Sequence, residues 1–128
     1  MTWVWLNGQI CAAECAHVPL TDRGLTLGDG LFETMRVYKG KPLRLAYHAQ
    51  RLQAGGGVLG LPVPSQAQLA QSVAELLAVT ELYCGALRLT VTRGSGPRGL
   101  LPPPQLQPTV FITATPGTPT LDAVALIT

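Results

Sequence analysis

The sequence predicts an α+β fold, a mostly antiparallel sheet packed with two helices. Two observations carry this. Short β-forming runs are separated by tight-turn signals, and two stretches of helical periodicity lie between them. The 128 residues suffice for one domain with a real core.

Trp3-Val4-Trp5-Leu6, Asn7-Gly8 and Gln9-Ile10-Cys11-Ala12 form a hairpin signal, with an Asn-Gly pair suited to a type I′ turn. Residues 18–30 are rich in Gly and Asp and show no helical period, so they are expected to be a loop. Leu31 to Tyr38 reads as a strand. Lys39-Gly40-Lys41-Pro42 and Leu43-Arg44-Leu45 then suggest a second hairpin.

From Ala46 the spacing of Leu45, Ala49 and Leu52 predicts a helix that Gly55-Gly56-Gly57 should end or loosen. Ser65 is the expected N-cap of a second helix, with Leu69, Val73, Leu76 and Leu77 as its apolar stripe. Ala86 to Thr92 alternates as a strand, with Leu87, Leu89 and Val91 on one face and Arg88, Thr90 and Thr92 on the other. Arg93 to Pro108 is irregular, and Thr109 to Ala114 reads as a further strand. Pro116 to Pro119 looks like a linker. The expected division is a domain over 1–118, with 119–128 as linker and first strand of a second domain.

Composition narrows the function classes. Apolar residues make up 47% and charged residues only 12%, a globular balance whose apolar surface points to a partner domain or subunit. A net charge of +2 with scattered arginines argues against nucleic acid. No apolar stretch reaches the roughly 20 residues of a membrane helix, and no signal-peptide pattern opens the chain. Three cysteines fit reduced thiols and a cytoplasmic setting. Cys11, Cys15 and His17 lack a second ligand pair, so no metal site is expected.

Three stretches could carry chemistry. In Leu31-Phe32-Glu33-Thr34-Met35-Arg36, the odd spacing puts Glu33 and Arg36 on opposite faces of a strand. At least one then reaches a cleft or a partner, unless this is an ordinary half-exposed strand. In Tyr47-His48-Ala49-Gln50-Arg51-Leu52, Tyr47 and Arg51 share a helix face. The planar fork of an arginine so held suits a phosphate or carboxylate, although a solvated surface arginine would read the same way. In Arg93-Gly94-Ser95-Gly96-Pro97-Arg98-Gly99, two arginines on a Gly-rich loop could approach an anion, or form a plain surface loop.

Four segments in this order resemble the class IV (fold type IV) pyridoxal-phosphate (PLP) aminotransferases, the group of the D-amino-acid and branched-chain aminotransferases and 4-amino-4-deoxychorismate lyase. They are Asp22-Arg23-Gly24, Leu27 to Thr34, His48-Ala49-Gln50-Arg51-Leu52, and Val91-Thr92-Arg93-Gly94 with Arg98. The resemblance implies that Arg51 binds the PLP phosphate, with Glu33 and His48 holding that arginine. It implies that Phe32 borders the substrate pocket and that Arg98 receives a substrate carboxylate, reaching into the other subunit of a homodimer. Arg36 and Arg88 are weaker pocket candidates.

The family's Schiff-base lysine has no counterpart here. Lys39 and Lys41 fall in the predicted hairpin turn, well before Arg51. The resemblance therefore implies the N-terminal part of a transaminase or lyase acting on a small amino acid or aminodeoxychorismate. No catalytic residue is assigned to the chain itself, which alone should be inactive and not hold PLP covalently. Two other readings are a non-catalytic binding or assembly module that keeps the fold, and an anion-binding protein using Arg51, Arg88 and Arg98.

Overall fold

Asn7 and Gly8 both take positive φ, 48° and 94°, as a type I′ turn requires, and close a hairpin between β1 (Trp3–Leu6) and β2 (Gln9–Ala12). The computed structural model describes residues 2–96 and 107–117. Arg98 and the expected division near residue 118 lie outside them. The further elements are α1 (Arg23–Leu27), β3 (Gly30–Tyr38), β4 (Lys41–Pro42), α2 (Leu45–Leu59), α3 (Gln66–Thr80), β5 (Gly85–Thr92) and β6 (Thr109–Pro116). The strands form one antiparallel sheet in the order β2-β1-β6-β5-β3-β4. The α+β expectation holds.

Alternation along the central strands decides which face becomes core. Met35 and Val37 of β3, Leu87, Leu89 and Val91 of β5, and Ile112 of β6 are fully buried, packed with Ala49 and Leu52 of α2 and Leu69, Val73 and Leu76 of α3. Each large side chain so buried contributes roughly 1.5–3 kcal/mol. The second helix follows the predicted stripe, and Leu77 is half-buried at its margin. Its N-cap is the expected one. Ser65 Oγ accepts from Gln68 N at 3.2 Å, and Gln68 Oε1 accepts from Ser65 N at 2.9 Å, a reciprocal capping box. Ser65→Ala should therefore cost about 1 kcal/mol of stability, read as a shift of the urea midpoint; an unchanged midpoint would show that the box is solvated away.

Three local expectations are corrected. The segment 18–30 is not all loop. Asp22 Oδ1 caps α1 by accepting from Gly24 N at 2.8 Å, and Gly28 ends it in the left-handed region. Five residues are too few to show a helical period, so only the flanking Asp and Gly announced it. The second hairpin is shorter than expected, since β4 pairs only with Val37 and Tyr38, and Leu45 already starts α2.

The third correction concerns the glycines. Gly55-Gly56-Gly57 do not end α2, which runs on to Leu59. A Cβ on Gly55 would meet the Leu31 side chain at 3.1 Å, and one on Gly56 would meet Leu61 O at 2.8 Å. Close packing against β3 and the returning chain thus offsets the roughly 1 kcal/mol that a helical glycine costs.

Candidate functional site

Glu33 lies on the core side of β3, in the row that continues to Met35 and Val37, yet it is a carboxylate. A buried carboxylate must be paired. His48 of α2, also buried, places Nδ1 2.8 Å from Glu33 Oε1. The two groups share one hydrogen bond. One turn further along α2, Arg51 Nη2 stands 3.7 Å from Glu33 Oε2. That separation is an ion pair but too long for a hydrogen bond. The Arg51 side chain is 53% exposed, so its fork keeps donors for a further anion. Glu33, His48 and Arg51 thus lie within ion-pair distance of one another through the Glu33 carboxylate.

Phe32, Arg36 and Arg88 stand on the opposite face of the sheet. Phe32 pairs with Thr90 and Thr34 with Arg88, which makes Phe32 and Arg88 diagonal neighbours. The Arg88 guanidinium sits 4.3 Å from the Phe32 ring centroid, a cation–π contact on an exposed aromatic. Arg36 is buried and lies 5.9 Å from the Tyr38 ring. Glu33 and Arg36 are therefore on opposite faces, and both are buried. The sheet separates the two groups, which share the β3 edge away from β5. Among the described residues, that edge is covered by a strand only at Val37 and Tyr38.

The Gly-rich stretches have a role that the sequence reading does not give them. Asp29 Oδ2 accepts from Arg23 Nε at 2.9 Å and from Arg93 Nε at 2.8 Å. Arg93 also donates through Nη2 to Leu59 O at 2.8 Å and through Nη1 to Gly60 O at 3.2 Å. This satisfies carbonyls at the C-terminal end of α2. Asp22 is fully buried and accepts from Thr109 Oγ1 at 2.7 Å.

Burial pushes the Asp29 carboxyl up, but the hydrogen bonds and charges of Arg93 and Arg23 outweigh it and hold its pKa below the usual value. Of the two arginines that could approach an anion from this loop, the structure describes one. Arg93 is committed to Asp29 and to α2, and Arg98 is outside the described residues. Only the charges flanking β3 and β5 hinted at this clasp, because its partners are 64 residues apart.

Cys11, Cys15 and Cys84 are free thiols. Among the described residues, no group of three metal-ligating side chains converges and no helix is long and apolar enough to cross a membrane. A surface cavity of about 680 Å³ is lined by Trp3, Leu82, Tyr83 and Cys84 and includes none of Glu33, His48 and Arg51.

The model of the family described as amino-transferase class IV matches residues 30–127, which include all seven candidate side chains. The chain belongs to that family. Within the class IV family, it is 37% identical over 128 residues to a putative branched-chain-amino-acid aminotransferase of Methanocaldococcus jannaschii, covering 98% of this chain and 44% of that one. It is 32% identical over 116 residues to a D-alanine aminotransferase of Staphylococcus haemolyticus, covering 89% and 41%.

Two solved structures extend the comparison. The fold matches 4-amino-4-deoxychorismate lyase from Pseudomonas aeruginosa with a TM-score of 0.76 at 35% identity, over 93% of this chain and 42% of that one. It matches a hypothetical aminotransferase from Mycobacterium tuberculosis in its PLP-bound form with a TM-score of 0.73 at 27% identity, over 89% and 39%. The chain thus spans about two-fifths of the length of these class IV proteins.

Proposed function

We propose that this chain forms the phosphate-binding side of a PLP site in a class IV aminotransferase or 4-amino-4-deoxychorismate lyase. The observation that carries this is the buried Glu33–His48 pair, which presents a half-exposed Arg51 with unused donors. A phosphate dianion needs a fixed cation, and a guanidinium meets it with two parallel charge-assisted hydrogen bonds. The residues present therefore fit the phosphate end of the cofactor.

PLP, when bound, supplies the electron sink that makes amino-group transfer to a 2-oxo acid, or pyruvate elimination, feasible. The chain's own residues bind and orient. Arg51 takes the phosphate, Glu33 and His48 fix its direction, and Phe32 borders the substrate. Arg36 and Arg88 offer cations to a substrate carboxylate from the other side of β3, and Arg98 is the further candidate for that carboxylate. We assign no proton transfer to this chain. Lys39 is at the far end of β3, with Nζ 5.4 Å from the Tyr38 ring. It follows Tyr38, which lies roughly 17 Å of extended strand beyond Glu33.

Turnover therefore depends on a lysine and a pyridine-nitrogen partner supplied from a second domain, with a homodimer completing each site through Arg98. Residues 1–118 act as the small domain. The full-length enzyme, in which this chain is joined to the lysine-bearing domain, should release pyruvate from aminodeoxychorismate or form D-glutamate from D-alanine plus 2-oxoglutarate. Failure to turn over either, with PLP bound, would refute both activities. The mobile-phase behaviour expected on sizing is that of a dimer.

A further inference from the structure

Arg51 alone is a poor match for a phosphate monoester. It brings one positive charge, which Glu33 at 3.7 Å offsets in part, while a phosphate group carries about −1.5 to −2 at pH 7. The site needs another cation. Arg44, exposed at the N-terminal boundary of α2, is the residue that the local geometry supplies. Its guanidinium carbon is 4.0 Å from the centroid of the Tyr47 ring, and that of Arg51 is 5.9 Å from the same centroid. Both guanidiniums thus lie against one ring, with their carbons at most about 10 Å apart.

Among the described residues, no carboxylate lies within 4.0 Å of Arg44. Arg44 also sits in the left-handed region, φ 58° and ψ 36°. A side-chain-bearing residue adopts that conformation at a cost that glycine avoids. An arginine is nonetheless kept where the backbone favours glycine, with its charge stacked on a ring that also faces Arg51.

We propose that Arg44 is the second cation of the phosphate site, held toward the same anion as Arg51 by the Tyr47 ring they share. This rests on the assignment of the phosphate to Arg51. Tyr47 is a positioning residue in this arrangement. Its ring, 5.6 Å from the His48 ring in an edge-on contact, is fixed from the side of the buried pair as well.

The test is titration of the full chain with pyridoxal 5′-phosphate and, separately, with pyridoxal, which lacks the phosphate. Arg44→Gln should weaken the phosphorylated ligand about tenfold and leave pyridoxal unchanged, and Arg44→Lys should recover most of the loss because it restores the charge. Weakening should fade at high salt as the screened charge matters less. An unchanged affinity in Arg44→Gln, with binding lost in Arg51→Ala, would overturn the role of Arg44 and leave the Arg51 assignment standing. Equal loss for both ligands would reduce Arg44 to a structural residue. If Arg51→Ala also binds normally, the phosphate is held elsewhere and both assignments fall.

Discussion

Replacing Asp29 with asparagine is expected to destabilise the fold by about 2 kcal/mol, the cost of losing charge-assisted hydrogen bonds in a part-buried ion pair. That is a large share of the roughly 5–15 kcal/mol by which a domain is stable. Asp29 gives one oxygen to two guanidiniums, and the Arg23 side chain is only 3% exposed. The substitution removes the negative charge they share while leaving both positive charges in place. It also loosens α2, because Arg93 holds the carbonyls of Leu59 and Gly60 from the same position. Urea unfolding is the measurement, and a loss well under 1 kcal/mol would mean that water screens the clasp.

The same carboxylate predicts an acid transition. Its pKa is lower folded than unfolded, so its contribution is present above the unfolded value of about 4 and is lost as the pH falls toward the folded one. Wild type should therefore lose stability between about pH 4 and lower values by more than Asp29→Asn does. Parallel pH dependences in the two proteins would contradict the depressed pKa.

Arg51→Ala should reduce the affinity for PLP about a hundredfold, since charge-assisted hydrogen bonds to a phosphate are worth up to about 3 kcal/mol. The change should fall on binding and spare stability, because the side chain is half exposed and its ion pair with Glu33 is loose. Arg51→Lys should recover only part of the loss, since an ammonium supplies the charge without the bidentate fork. Titration followed by the cofactor's absorbance separates these outcomes. Wild-type affinity in Arg51→Ala would remove the phosphate assignment.

Much of this was legible in the chain. The Asn7-Gly8 turn, the Ser65 cap and the alternation of Leu87, Leu89 and Val91 are local patterns whose physics acts within a few residues. The trio of Glu33, His48 and Arg51 was legible as a resemblance, and the structure supplies its geometry. Less legible was α1, where five residues leave no period to read. The glycines of α2 misled for a related reason. Propensity counts their cost, whereas Leu31 and Leu61, brought close by the fold, repay it.

The sequence by itself determined the fold class, the two main helices, the apolar face of β5 and the family, since hydrophobic spacing, turn chemistry and motif order are written along the chain. Only the tertiary structure decided that Asp29 joins Arg23 to Arg93, that Arg93 is committed to α2, and that Arg44 and Arg51 share one tyrosine ring. Clasps of this kind depend on how β3, β5 and α2 pack, and no pattern along the chain encodes which of nine cations meets which carboxylate. Charges pair by distance in space, and that distance exists only once the core has closed.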